Sequence, residues 1–369
     1  MKNFNQRHVP FMMECLRLAR MGEGYVSPNP MVGALLVKRG RIVARGVHRK
    51  FGGPHAEVEC LRRYKGSLSG ATLYVNLEPC SYYGKTPPCT DLLIRSGIRE
   101  VVVAMKDPNP LVAGKGIRKL RSAGVRVVEG ILELEARHLN RKFTKHITTG
   151  LPYVHLKIAQ TLDGKIGVSR GKPRWISSEA ARRLVHEWRN GYDVLLVGVG
   201  TIRADNPLLT VRMAKGRDPD IVILDGKFSI SLNARIAKQN ANRRVFVCAD
   251  AESVKRHGAK VKKLARRGVE VLSFGSTKGI IRLKPLLKEL SRRRIGSIMV
   301  EGGRDVFTQF LREGIVDQLS VFISPTFMGE GVPTFKPLKH SEVARLARRD
   351  QRMVVRTVGK DILLQTYFT

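Results

Sequence analysis

Between residues 8 and 22 the apolar side chains of Phe11, Cys15 and Ala19 fall on one helical row, with Met12 and Leu16 beside it, which predicts an amphipathic helix. Val32 to Val37, a polar turn at Lys38 to Arg41, and Ile42 to Ala44 read as a hairpin. Gly52-Gly53-Pro54 then interrupts the chain, and Ala56 to Tyr64 suits a helix with His55 at its start. A strand is predicted over Thr72 to Asn76, a helix over Asp91 to Ser96, and strands over 100–104 and 125–128 flank another helix. The pattern pauses at Thr148 to Pro152 and restarts with a strand at Tyr153 to Ala159. Beyond it, strands are predicted near 194–198, 220–225, 244–248, 269–274 and 297–300, and helices near 178–190, 281–291 and 304–313. Val316 to Ser324 and the pair 352–358 and 361–368, joined at Gly359-Lys360, read as closing strands. Strands alternating with helices predict α/β layers, and the pause places a domain boundary near residue 148, giving 1–148 and 149–369.

Length agrees with that division, since 369 residues are too many for one ordinary domain and enough for two cores. No apolar run is long enough to span a bilayer, and Met1 to Gln6 has no apolar stretch after its charge, so a cytoplasmic protein with no membrane partner is expected. Five cysteines, at 15, 60, 80, 89 and 248, are too sparse for a disulfide framework. Cys15, Cys60 and Cys248 have apolar neighbours, whereas Cys80 and Cys89 sit among Pro, Gly, Ser and Thr, where a thiolate can meet a metal. The net charge of +36 raises the question of nucleic acid, but residues 1–150 hold 26 Lys/Arg against 11 Asp/Glu and the remainder 41 against 20. An excess spread so evenly, with no basic run longer than Arg292-Arg293-Arg294, reads as a solvated surface and argues against a nucleic-acid partner. The same field would attract a small phosphorylated substrate. The sequence is compatible with a homo-oligomer.

The chemistry-bearing residues cluster early. His55-Ala56-Glu57, then Pro79-Cys80, then Pro88-Cys89 supply one imidazole, two thiolates and an acid that need not ligate. Three such ligands leave zinc an open fourth position, as catalytic sites require, and the acid can shuttle protons while the metal activates water. His48 is the obvious candidate for a closing fourth ligand, but no close spacing pairs it with His55. The pattern therefore predicts a zinc-dependent base deaminase with Glu57 as its proton carrier.

Pro28-Asn29-Pro30-Met31-Val32-Gly33, His55-Ala56-Glu57 and the run from Glu78 to Cys89 resemble the bifunctional riboflavin-biosynthesis deaminase-reductase family. Nucleoside deaminases carry two residues between their cysteines, whereas eight stand here, ending in Thr86-Pro87-Pro88. By this resemblance His55, Cys80 and Cys89 bind Zn2+, Glu57 is catalytic, and Asn29, His48 and Lys85 contact the ring or the ribose phosphate. One departure is Tyr82, where the family commonly has His; tyrosine keeps a polar tip but cannot carry positive charge.

The second half lacks Gly-x-Gly-x-x-Gly after a strand, which removes a conventional dinucleotide fold. Leu156 to Ala159, Leu162 to Ile166, Trp175 to Ser177, Gly200 to Arg212 and Val300 to Gly303 are similar to the reductase half of the same family. The resemblance implies an α/β chain, with a cytidine-deaminase-like three-layer domain followed by a dihydrofolate-reductase-like domain that uses NADPH. Carried over residue by residue, Ala159, Trp175, Thr201, Asp205 and the segment from Gly303 would hold NADPH, while Lys157, Arg189, Leu209, Arg212 and Glu301 would contact substrate. Arg189 and Arg212 suit a bidentate grip on a phosphate, and Trp175 offers a flat face to a ring. Pro173 stands where the family can place a small hydroxyl.

The implied function is hydrolytic deamination of 2,5-diamino-6-(5-phosphoribosylamino)pyrimidin-4-one, then NADPH-dependent reduction of the ribosyl side chain to ribityl. Two rivals stand beside it: a nucleic-acid base deaminase with a basic auxiliary domain, and a basic RNA-binding protein with a vestigial zinc fold. The intact Glu57 argues against the second.

Overall fold

The structure, a computed structural model, describes residues 6–83, 87–168, 175–238, 242–347 and 351–368. It separates into two compact units, residues 1–151 and 152–369. Lys85 and Pro173 lie outside the described residues.

In the first unit a five-stranded sheet is built from β1 (Gly33–Lys38), β2 (Arg41–Val47), β3 (Ala71–Leu77), β4 (Glu100–Met105) and β5 (Arg126–Glu129), in the order β2-β1-β3-β4-β5. β1 runs antiparallel to both β2 and β3, while β3, β4 and β5 are parallel. The unbroken apolar run Val101-Val102-Val103 is buried throughout, as a parallel strand covered on both faces requires. Helices α1 (Val9–Arg20), α2 (Ala56–Arg62), α3 (Cys89–Arg95) and α4 (Lys115–Ser122) accompany it. α1 buries Met12, Cys15, Leu16 and Ala19, the predicted stripe, while Phe11 is only half-buried at its edge.

Two glycines set how closely helices approach this sheet. A Cβ on Gly33 would lie 2.3 Å from the Cys15 carbonyl oxygen of α1, and one on Gly46 would lie 2.0 Å from that of Ala56 in α2. Only glycine lets α2, which carries Glu57, lie this near the hairpin. Buried Asn76 ties the loop before β1 in place, accepting from Gly33 N at 2.8 Å and donating to Met31 O at 3.0 Å.

The second unit is organised on a nine-stranded sheet. Its strands are β6 (Tyr153–Thr161), β7 (Val194–Gly198), β8 (Asp220–Leu224), β9 (Val245–Asp250), β10 (Val269–Phe274), β11 (Ser297–Gly302), β12 (Gln318–Ser324), β13 (Gln351–Val358) and β14 (Asp361–Phe368). The order is β10-β9-β8-β7-β11-β6-β12-β14-β13, parallel from β10 through β12 and closed by the antiparallel pair β14 and β13. Helices α5 (Glu179–Asn190), α6 (Val199–Asp205) and α7 (Arg304–Glu313) carry or adjoin the residues of interest. Gly198, the last residue of β7, is the N-cap of α6, so the strand opens directly into the helix that carries Thr201 and Asp205.

Candidate active sites

His55 stands at the N-cap of α2 in extended conformation, so its ring leaves the helix axis while Glu57 lies in the first turn. Cys80 follows β3, and Cys89 is the first residue of α3. The chain thus delivers all three sulfur and nitrogen ligands from helix starts or a strand end. His55 Nδ1 is 3.2 Å from Cys89 Sγ and 3.7 Å from Cys80 Sγ, and the three ligand atoms lie within 4.8 Å of one another. Tetrahedral zinc with ordinary bond lengths needs N···S separations of about 3.6 Å and S···S of about 3.8 Å. These residues fit that ion.

Glu57 is 4% exposed, and burial pushes its carboxyl above the usual range, the property wanted in a group that must both take and give a proton. The two thiols split: the hydrogen bond from Cys89 is the main reason that the Cys80 thiol is lowered to about 4, and the same shared proton raises Cys89. His48 does not ligate here. Its Nδ1 hydrogen-bonds the Pro54 carbonyl at 2.9 Å, and its Nε2 accepts from Asn29 Nδ2 at 3.2 Å. The structure thereby pairs Asn29 with His48 and sets the His48 ring 5.8 Å from that of His55, edge to face. Tyr82 is half exposed.

One anchor was missed in the sequence. Glu78, buried, accepts four backbone N–H bonds, from Asp107 at 3.0 Å, Gly114 at 2.9 Å, Gly116 at 2.8 Å and Ile117 at 3.1 Å. It fixes the 107–114 loop and the start of α4 two residues from Cys80. In that loop burial pushes the Asp107 carboxyl up to about 6.

In the second unit Lys157 of β6, Arg189 of α5 and Glu301 of β11 form one buried charged cluster. Arg189 Nε donates to Glu301 Oε1 at 2.6 Å and Nη2 to Oε2 at 2.8 Å, while Lys157 Nζ stands 3.4 Å from Oε2. The remaining nitrogen of Arg189, Nη1, donates to Thr210 O at 2.8 Å, so its fork faces protein acceptors in place of the phosphate expected from the sequence. Burial alone would raise Glu301, but Arg189 and Lys157 outweigh it and hold the carboxyl at about 2. Burial lowers Lys157. Leu209 is buried with a left-handed backbone (φ 55°), and Arg212 beyond it is exposed.

Ala159, Thr201 and Gly303 gather at the C-terminal ends of β6, β7 and β11, neighbouring parallel strands, where open α/β sheets bind ligands. Gly303 is the N-cap of the ten-residue α7, and a Cβ there would come 3.4 Å from Thr201 Oγ1. The start of α7 has no side-chain cap; the Thr201 hydroxyl lies near Gly303, the Asp305 carboxylate of the first turn is paired with Arg304 and Lys336, and backbone N–H groups at such a start fit the phosphates of a dinucleotide. Trp175 is 71% exposed, with the Arg182 guanidinium 4.9 Å from its ring centre, and Asp205 is exposed at the end of α6. Among the described contacts none joins these two to the charged cluster.

Comparison with known proteins settles the family. Residues 5–105 match the cytidine and deoxycytidylate deaminase zinc-binding region, and residues 152–364 match the RibD C-terminal domain. The riboflavin biosynthesis protein RibD of Aquifex aeolicus is 46% identical over 323 residues, 87% of this chain and 88% of that protein. The chain belongs to the RibD family. The Escherichia coli RibD protein is 37% identical over 96% of this chain and 97% of its own length. A Thermotoga maritima crystal structure described as a diaminohydroxyphosphoribosylaminopyrimidine deaminase/5-amino-6-(5-phosphoribosylamino)uracil reductase is 39% identical, with a TM-score of 0.86 over 99% of this chain and 100% of that one. As a RibD protein the chain is a bifunctional enzyme of riboflavin biosynthesis, a deaminase and a reductase, acting on a small pyrimidine. Its fold is the expected pairing of a cytidine-deaminase-like domain with the RibD reductase domain, and its cofactors are zinc and NADPH.

Proposed function

We propose that residues 1–148 form the deaminase and 149–369 the reductase, and that the substrate is phosphorylated: 2,5-diamino-6-(5-phosphoribosylamino)pyrimidin-4-one loses an amine, and its ribosyl chain is then reduced to ribityl. The observation that carries the first step is the buried Glu57 beside the His55, Cys80 and Cys89 cluster. Zinc held by those three ligands supplies the Lewis acidity that brings the pKa of water to about 7. Glu57, buried beside the three ligands, takes the proton of the attacking water and returns it to the departing amine. Asn29 and His48, hydrogen-bonded to each other, present one edge to the pyrimidine, and Lys85 reaches the ribose phosphate.

In the second step NADPH supplies the reducing equivalent, held along Ala159, Trp175, Thr201, Asp205 and Gly303. Lys157, kept beside Glu301 by the Arg189 fork, orients the ribose; Leu209 packs on the ring, and the exposed guanidinium of Arg212 takes the phosphate. The even spread of basic charge favours a small phosphorylated substrate over nucleic acid, and no helix among the described residues is long and apolar enough to cross a membrane, in keeping with a cytoplasmic enzyme. Ammonia release from the diamino compound and NADPH oxidation with the deaminated compound test the two steps separately. Deamination of an RNA oligomer in preference to the small pyrimidine would overturn the reading.

A further inference from the structure

The segment from Leu208 to Arg212 has no regular structure of its own, yet its backbone is held at successive residues by side chains. Arg243 Nη1 donates to Leu209 O at 2.9 Å, Arg189 Nη1 to Thr210 O at 2.8 Å, and Asp218 Oδ1 accepts from Val211 N at 2.6 Å. At the last position the Arg212 N–H donates to His186 Nδ1 at 3.1 Å. His186 and Arg189 lie three residues apart on α5, so one helix face grips the segment at two points. We infer that His186 is a positioning residue of the reductase: its neutral imidazole, through Nδ1, fixes the Arg212 backbone and so aims the exposed Arg212 guanidinium at the substrate phosphate. This rests on the proposed role of Arg212.

Two physical arguments support it. An imidazole that accepts at Nδ1 carries its proton on Nε2, and a doubly protonated ring could not accept at all. The surroundings enforce that state. His186 is 4% exposed, and the groups facing it are Arg189 on its own helix, Arg212 from the segment, Lys157 from β6 and Glu301 from β11. Burial, and then Arg189 and Arg212, hold it down to about 4, against which the single carboxylate of Glu301 is too little. Free in solution the ring would gain its proton near pH 6.5; here the acceptor survives well below that. The guanidinium it serves has no carboxylate within ion-pairing distance among the described residues, and so is free for an anionic ligand.

The test compares His186→Ala, His186→Asn and Arg212→Ala in the full chain with NADPH and the deaminated substrate. Asparagine can place an amide oxygen where Nδ1 stands and cannot titrate. His186→Ala is expected to raise KM about tenfold, the worth of one buried hydrogen bond, with kcat within about threefold. His186→Asn should restore KM. The wild-type KM should rise as pH falls from 5 toward 4, and that rise should vanish in His186→Asn. Nitrogen NMR of the labelled chain at pH 7 should show an unprotonated Nδ1, identified by the signal that His186→Asn removes. If Arg212→Ala raises KM and His186→Ala does not, or if Nδ1 carries a proton at pH 7, the inference about His186 is overturned while the Arg212 reading stands. If Arg212→Ala leaves KM unchanged, the phosphate reading fails and takes the inference with it.

Discussion

Arg189 and Glu301, 112 residues apart in sequence, meet fork to fork inside the second unit at 2.6 and 2.8 Å. Their burial makes the pair costly to break from one side. Arg189→Met would leave the Glu301 carboxylate with Lys157 alone and is expected to cost about 3–5 kcal/mol, whereas Arg189→Met combined with Glu301→Leu should recover part of that loss. Both tryptophans, Trp175 and Trp188, belong to residues 152–369, so urea unfolding followed by tryptophan fluorescence reads this unit alone. A single mutant as stable as the parent would show that the pair contributes nothing.

The same pair predicts an acid dependence. Glu301 is held at about 2, below the 4.5 of an unperturbed glutamate, so between those values the unfolded chain binds the proton that the folded chain refuses. Its contribution of about 3 kcal/mol is therefore complete above pH 4.5 and is lost as pH falls toward 2. Fluorescence-monitored unfolding at pH 6, 4 and 3 should show the loss, and Glu301→Gln should lack that part of the decline.

How far these features were legible differs by kind. The alternation of apolar runs gave the strands of both sheets, because a buried parallel strand such as Val101 to Val103 has no polar residue to hide it. The zinc ligands were legible because His, Cys and Cys are scarce types at telling positions. Helix 141–149 was not, since its apolar row is only Phe143 and Ile147 among basic residues and threonines, and it packs on the core at Phe143 without fully burying any residue. Glu78 stands in the sequence only as the first residue of the cysteine motif; its partners are backbone N–H groups 29 to 39 residues away, which no side-chain pattern marks. The inward turn of Arg189 was equally silent, because an arginine that grips a carboxylate and one that grips a phosphate look alike in sequence.

Gly46 offers a test of how the deaminase site is supported. Because its added Cβ would sit 2.0 Å from Ala56 O and 2.5 Å from Cys60 N, Gly46→Ala must push α2 off the hairpin. Overpacking of this kind costs about 1–3 kcal/mol, and the helix it moves begins at His55 and carries Glu57. Zinc content and ammonia release are expected to fall together, while NADPH oxidation on the deaminated compound is retained. Unchanged zinc content would mean that α2 can slide without disturbing its ligands.

Glu57→Gln separates binding of the metal from use of the proton. Glutamine keeps nearly the same volume in the buried position and leaves His55, Cys80 and Cys89 untouched, so zinc measured by atomic absorption should remain stoichiometric. It cannot accept the water's proton or return one to the amine, and general acid–base contributions are worth about 10²–10⁴-fold, so ammonia release should fall by at least that factor. NADPH oxidation with the deaminated compound should stay within about twofold of the parent, because none of the residues proposed for that step lies in the first unit. Loss of both activities in a folded, zinc-loaded Glu57→Gln protein would mean that the two steps share a site.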